Sequence, residues 1–290
     1  MGESERKNLF QIAENAVGFT YHRLHHFLTE ATWSSSKVNE RRLEIMNKCS
    51  QTRISRGFSL IIDDSGHRKS GNFTAGVGGQ YIGEIGKKDF GIVVVTTHLL
   101  YNGRKSLPLD LELYQHADAL ASGKQDPELE KKPELALGLI DRTIERKSQP
   151  GIVIVDAGYG NNTSFLLELE LRQLKDLGGI AKNRNVTITH QDNIHQTIRQ
   201  DELAESFPQE AFTEIQLNLE KPKIVWVVTR EIEISQLKGK RNLAIVMNAP
   251  TFSQATDIDY FINNVSSSIV TPKWIVDTYA QRNWVEVFYP

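Results

Sequence analysis

The chain has 290 residues, of which 39% are hydrophobic, and a formal net charge of −2. That is enough apolar material for a packed core and too even a charge for a global polycation, so a nucleic-acid partner would have to be met by local basic patches. A single cysteine, Cys49, excludes a disulfide framework and a multi-thiolate zinc site. No apolar run approaches the roughly 20 residues of a membrane span, and the polar start Glu3, Glu5, Arg6, Lys7 has no signal-peptide pattern, so the reading is a cytoplasmic protein with no membrane partner.

Residues 1–56 read as a helical segment. Leu9, Ile12, Ala13, Ala16 and Val17 recur at helical spacing up to Gly18, and Tyr21, Leu24, His25, Phe27 and Leu28 form a second apolar face. A third helix starts at a cap in Ser34–Ser36 and runs through Val38, Leu43, Ile45 and Met46. His22, His25 and His26 have no acidic or thiol partner at matching spacing, which leaves them as ordinary histidines. Between positions 37 and 56, six basic residues face two acidic ones, a patch that could meet phosphates or simply be a solvated helix face.

Residues 57–184 read as the core. Phe58-Ser-Leu-Ile-Ile-Asp63-Asp64-Ser65-Gly66 is an apolar run that ends in carboxylates and a turn, followed by Arg68 and Lys69. The Gly-rich stretch through Ala75–Gly79 lacks the lysine of a P-loop and reads as a tight β-meander. Gly91–Thr97 and Leu107–Tyr114 complete about three antiparallel strands, and a helix spans Pro133–Lys147 with proline in its first turn. Gly151-Ile-Val-Ile-Val-Asp156-Ala-Gly-Tyr-Gly160 repeats the pattern of a buried strand ending in a carboxylate. Ligands and metals collect at the carboxyl ends of strands in open α/β sheets; the alternative is that Asp156 merely caps the helix beginning near Asn162. A helix over Thr163–Leu177 and a short strand Gly179–Arg184, with the cations Lys182 and Arg184, follow. Three strands, helix, strand, helix, strand is the order expected for an α/β, RNase H-like mixed sheet with flanking helices.

Residues 185–256 read as a β-rich insertion, with strands at Lys223–Arg230 and Asn242–Met247, and residues 257–290 as carboxyl-terminal helices. The last helix, capped by Thr271 with Pro272 in its first turn, places Tyr279, Arg282 and Glu286 three and four residues apart on one face. A surface Arg–Glu pair would be worth only a few tenths of a kcal/mol and would explain neither the tyrosine nor the two acid-ended strands.

Tyr279-x2-Arg282-x3-Glu286 resembles the signature of the IS-four-type bacterial insertion-sequence transposases, whose full form continues x6-Lys. Ile62-Asp-Asp-Ser-Gly66, Leu107-Pro-Leu-Asp110, Lys132-Pro-Glu-Leu-Ala136, Asp156-Ala-Gly-Tyr-Gly160 and Gln281-Arg-Asn-Trp-Val-Glu-Val-Phe288 are more closely similar to the IS-seven-hundred-one branch and its DDE superfamily endonuclease domain. The resemblance implies metal-dependent cleavage and transfer of DNA strands at insertion-sequence ends. It implies Asp63, Asp156 and Glu286 as catalytic and metal-binding residues for two Mg²⁺ (or Mn²⁺), with Asp63 taken over its neighbour Asp64. Tyr279, Arg282, Arg68, Lys69, Lys182 and Arg184 are the candidate contacts to DNA or phosphate. Double-stranded DNA, both terminal inverted repeats and target, and a second copy of the chain on that DNA are the implied partners, in a bacterial, nucleoid-associated setting. The signature lysine would fall beyond Pro290, so the alternative is a truncated remnant that binds DNA but cuts weakly.

Three carboxylates suit that chemistry, because hard divalent ions take oxygen ligands and two of them can serve both the attacking and the leaving oxygen of a phosphodiester. A small-molecule enzyme on a doubly wound sheet is disfavoured by the antiparallel opening strands and the lack of a Gly-x-Gly-x-x-Gly turn, and a serine hydrolase by the lack of a histidine motif paired to Ser65 or Ser164.

Overall fold

The computed structural model describes residues 8–15, 17–71, 74–103, 105–190, 192–217 and 222–288; the side chains of residues 84 and 286–288 lie outside the description. Two compact units divide at Arg53/Ile54.

The first unit is helical: α1 (Leu9–Asn15), α2 (Tyr21–Thr29) and α3 (Ser35–Lys48). Gly18 adopts a left-handed φ of 84° between α1 and α2, a conformation glycine takes without a Cβ penalty. Thr20 caps α2 and Ser34 caps α3 through side-chain oxygens that accept backbone N–H groups, satisfying donors a helix start leaves open. Phe27 stacks on Trp33 at 5.4 Å.

The second unit opens with three long antiparallel elements. β1 (Arg56–Arg68) is followed by β2 (Gly78–Ile82), β3 (Lys87–Tyr101) and β4 (Lys105–Tyr114). β3 pairs with β1 along one edge, and with β2 and then β4 along the other. α4 (Lys132–Glu145) carries Pro133 at its start, and the Glu134 side chain reaches back to accept from the Lys131 N–H. β5 (Gln149–Val155) then pairs parallel to β1, α5 (Ala157–Gly160) and α6 (Thr163–Leu171) follow, and β6 (Asp176–Gly179) pairs parallel to β5. The expected helix to Leu177 therefore stops at Leu171. Arg172 folds back on the Glu168 carbonyl and Gln173 takes a left-handed φ of 58°, which ends the helix. The expected strand over Gly179–Arg184 begins three residues earlier for the same reason, and Ala181–Arg184 closes as a turn.

Beyond β6, the hairpin β7 (Asn185–Thr189) and β8 (His195–Arg199) forms a separate two-stranded sheet, followed by α7 (Gln200–Ser206). Its strands escaped the sequence reading because polar side chains at Thr187, Gln196 and Thr197 blur the alternation. β9 (Thr213–Leu217), β10 (Lys223–Ile232), β11 (Arg241–Met247) and β12 (Ile258–Asn263) are antiparallel and continue the main sheet, with β12 against β6. The sheet thus has ten strands ordered β2-β3-β1-β5-β6-β12-β11-β10-β9, with β4 also on β3. The two strands read within an insertion, now β10 and β11, thus belong to the main sheet, between β12 and β9. α8 (Pro272–Ala280) and α9 (Asn283–Phe288) end the described chain.

Ile61, Ile152, Ile154 and Leu177 pack with Val227, Ala244, Phe261, Ile275, Val276 and Val285 into one cluster, so α8 lies over one face of the mixed sheet. α4 and α6 contribute buried Leu135, Leu139, Ile140, Phe165, Leu166 and Leu169 to the core. Burying such a side chain contributes roughly 1.5–3 kcal/mol.

Candidate active site at the carboxyl edge of the sheet

β1 does not stop at its acids. Its antiparallel pairing with β3 continues through Asp63↔Thr96 and Asp64↔Val95 to Arg68↔Gly91, whereas its last parallel partner on β5 is Ile61↔Ile154. The expected turn after Asp64 is therefore corrected to strand, because β3 is long enough to carry β1 past the end of β5. Measured against β5, both acids still lie beyond the carboxyl edge. Side chains alternate along a strand, so Asp63 shares the face of Ile61, and Asp64 that of Leu60 and Ile62. The Asp63 face is the one under α8.

Asp63 is buried, its side chain about 10% exposed, and Arg282 Nη2 donates to both of its carboxylate oxygens, at 3.1 and 3.0 Å. Burial pushes the Asp63 carboxyl above its ordinary range; the Arg282 charge and hydrogen bonds pull it back, and the negative Asp156 adds to the rise. Asp156 follows the last residue of β5, two positions after Ile154, as Asp63 lies two after Ile61, so the register sets the two aspartates side by side. It is also a cap, though of the one-turn α5: its Oδ1 accepts from Gly158 N at 2.9 Å and Tyr159 N at 3.2 Å. The helix near Asn162 is capped by Asn162 itself. The two readings of Asp156 are thus not alternatives, since a capping turn is what holds this carboxylate at the strand end.

The carboxyl-terminal segment differs from the single helix expected. α8 begins as anticipated, with Thr271 Oγ1 accepting from Trp274 N at 3.1 Å, but ends at Ala280. Gln281 N, Arg282 N, Trp284 N and Val285 N then bond the carbonyl three residues back, which tightens the chain to 3₁₀ geometry before α9. Tyr279, Arg282 and Glu286 therefore do not share one continuous helical face. The break is held from the sheet, where Ser59 Oγ donates to Gln281 Oε1 at 2.7 Å and Arg282 engages Asp63. Tyr279 packs on Phe261 with ring centroids 4.1 Å apart, and burial raises its hydroxyl above the usual range. A Cβ added at Gly179 would meet Tyr279 Oη at 3.1 Å and Ala157 N at 3.0 Å, so glycine there admits the tyrosine to the site. Glu286 belongs to α9, and its side chain lies outside the described residues. Among the described residues, no group of three or more His, Cys, Asp or Glu side chains could hold a metal ion.

The basic candidates are dispersed. Arg68 ends β1, about 17 Å along the strand from Asp63 at roughly 3.4 Å per residue, and pairs with Asp89 at 2.9 Å. Lys69 is next in chain, tied by its backbone to Phe90. Lys182 is exposed. Arg184 is half-buried and donates to Asn161 O and Thr163 Oγ1, both at 2.7 Å, clasping the turn between α5 and α6. On the opposite face, Asp64 accepts from Tyr159 Oη at 2.6 Å and pairs with Lys132 Nζ at 2.7 Å, and Lys132 lies over the Tyr114 ring. The sequence reading singled out neither Tyr159 nor Lys132 as partners of that acid, although the doubled aspartate was a signal that each face of β1 receives one.

Residues 1–212 match the family model described as DDE superfamily endonuclease. That stretch holds Asp63 and Asp156 and ends before Tyr279, Arg282 and Glu286. The probable transposase for insertion sequence element IS701 from Microchaete diplosiphon is 33% identical over 195 residues, which is 67% of this chain and 50% of the relative. The chain thus spans half the length of that curated relative. The crystal structure of the NurA nuclease from Sulfolobus solfataricus gives a TM-score of 0.31 at 9% identity, over 90% of this chain and 85% of that one, a likeness too slight to weigh. With two acids of one sheet face brought together at a strand edge, and nearly three quarters of its length inside the family model, this chain belongs to the DDE superfamily endonucleases.

Proposed function

We propose that this chain is a transposase that cleaves and transfers DNA strands at the ends of an insertion sequence, with Asp63, Asp156 and Glu286 as its acidic triad. The observation that carries the reading is the adjacency of Asp63 and Asp156 on one face of the sheet, under α8, which carries Tyr279, and the 3₁₀ junction after it, which carries Arg282. The order β4-β3-β1-β5-β6, with the first three strands antiparallel and the next two parallel to β1, supports an RNase H-like core extended by the antiparallel strands β9–β12. The partners that follow are double-stranded DNA, both element ends and target, and a second copy of the chain on that DNA.

A pair of carboxylates that share a face and are partly shielded from water fits hard divalent ions, and a cationic group already lies on both oxygens of Asp63. Asp63 and Asp156, with Glu286, would hold two Mg²⁺ or Mn²⁺ ions, which when bound would neutralise charge on the scissile phosphate and make an oxygen nucleophile available near neutral pH. The chain's own residues do the rest. Backbone N–H groups of Gly158 and Tyr159 hold Asp156 Oδ1, fixing the direction of that carboxylate. Arg282 opposes the rise that burial imposes on the Asp63 carboxyl and is itself a donor for a phosphate oxygen. Tyr279, held on Phe261, presents a hydroxyl beside the start of α5. Nicking of a supercoiled plasmid bearing the element's ends, with and without Mg²⁺, tests the proposal: cleavage that needs Mg²⁺ and vanishes in Asp156→Asn is expected. Cleavage unaffected by that substitution would sink it.

A further inference from the structure

Asp156 is aimed by a very short element. α5 is one turn long, and its sequence Ala-Gly-Tyr-Gly offers a single large side chain by which the rest of the fold could grip it. On one side the turn is seated on β6, since a Cβ at Gly160 would come within 2.0 Å of Gly179 O. On the other, Tyr159 is buried, tilts against Phe165 at 5.4 Å and reaches across to β1, where its hydroxyl donates to Asp64 Oδ1 at 2.6 Å. The second oxygen of Asp64 is held by Lys132. The same Tyr159 offers its backbone N–H to Asp156 Oδ1.

The geometry points to Asp64 and Tyr159 as positioning residues, a strut on the closed face of the sheet that fixes the α5 turn and thereby the carboxylate of Asp156 on the open face. This rests on the proposed role of Asp156 as a metal ligand. Adjacent acids of β1 then have divided tasks: Asp63 faces the site, and Asp64 anchors the turn that carries the other aspartate. Hydrogen-bond partners of a metal ligand characteristically cost about 10–100-fold in affinity when removed; Asp64 and the Tyr159 hydroxyl act one step further out, through the turn whose N–H groups hold Asp156, so the lower end applies.

The test is Mn²⁺ binding by the full chain, read from water-proton relaxation, with circular dichroism as a check on folding. Tyr159→Phe deletes one oxygen and no volume, and Asp64→Ala deletes the acceptor; each should weaken Mn²⁺ binding by about 10-fold while the spectrum is unchanged. Asp64→Asn keeps an oxygen acceptor for Tyr159 and should stay near wild type, a rescue that a merely structural ion pair with Lys132 would not show. If Asp156→Asn abolishes Mn²⁺ binding while Tyr159→Phe leaves it intact, the strut is overturned and the metal site stands. Equal losses in Asp64→Asn and Asp64→Ala would also overturn it, by making the charge rather than the acceptor responsible. Unchanged binding in Asp156→Asn would overturn the reading of the site on which the strut depends.

Discussion

Two buried arginine–aspartate pairs cross this sheet, and they are built differently. Arg241 of β11 and Asp176 of β6 have fully buried side chains; Nη1 and Nη2 fork onto the two oxygens of Asp176 at 2.7 and 3.2 Å, and Nη2 also reaches Glu170 at 2.8 Å. Arg282 and Asp63 lie at the carboxyl edge with the arginine 22% exposed, and a single nitrogen serves both oxygens at 3.0 and 3.1 Å. The first pair is a fork between two strands, completed by Glu170, with both partners of the fork closed to solvent. The second joins a strand to a 3₁₀ junction between two helices, where the arginine is partly open to solvent. A buried pair of the first kind is expensive to break, because the charges left behind have no solvent to turn to. On the proposed reading of the site, a pair of the second kind gives way to a divalent cation.

The largest effect should come from breaking the closed pair. Arg241→Met is expected to destabilise the fold by about 3–5 kcal/mol at neutral pH, measured by urea unfolding. Burial already pushes Asp176 above the ordinary carboxylate range, with Arg241 opposing. The folded state therefore holds that proton more tightly than the unfolded one; the associated stability is fully present below about pH 4 and lost as pH rises through the folded value. Without Arg241 the folded value rises further, so the deficit of the variant should shrink as pH falls toward 4. A deficit that does not change with pH would show that lost packing, not charge, is the cause.

At the open pair, activity should suffer more than stability. Asp63→Asn and Asp156→Asn are expected to lower plasmid nicking by more than about 100-fold, the upper end of what losing an outer partner costs, with unchanged circular dichroism. Arg282→Gln should cost about 1.5–3 kcal/mol at pH 7.5, the worth of hydrogen bonds to a charged group. Asp63 is raised in the same sense as Asp176, so this loss too should fade as pH falls. Millimolar Mg²⁺ should restore the thermal midpoint of Arg282→Gln and leave that of Arg241→Met where it was, which separates a yielding cation from a structural one. The smallest effect belongs to a third pair, Arg68–Asp89, whose arginine is 66% exposed. Arg68→Ala should leave the fold intact and, if Arg68 meets a phosphate, reduce the salt slope of DNA binding by about 1.

The contrast also separates what could be read in advance. The places of Asp63 and Asp156 along their strands were legible because each follows a run of buried aliphatics, a local pattern that survives whatever the rest of the chain does. Thr271 and Pro272 announced the start of α8 in the same local way. The end of that helix was not legible: Lys273 to Phe288 contains no glycine or proline, and the break at Gln281-Arg282 is held by Ser59 and Asp63, more than 200 positions away in sequence. Arg184 was read only as a candidate phosphate contact, and its donation to the carbonyl of Asn161 and the hydroxyl of Thr163 could not be foreseen, because those partners lie more than 20 positions back in the chain. β12 was passed over in a segment read as helical, since Ile258–Asn263 is too short to declare its period and acquires its identity from β6 and β11.

By itself the sequence determined which residue types could do chemistry and which strands would carry them, because buried runs and the acids that end them depend on solvent affinity, a property of each side chain. Only the tertiary structure decided that Asp63 and Asp64 serve opposite faces with different partners, that the strands after position 212 extend the sheet rather than interrupt it, and that one arginine locks the core while another waits at its edge. These are outcomes of register and of long-range pairing. A shift of one residue between β1 and β3 would exchange the two aspartates without altering a letter of the chain.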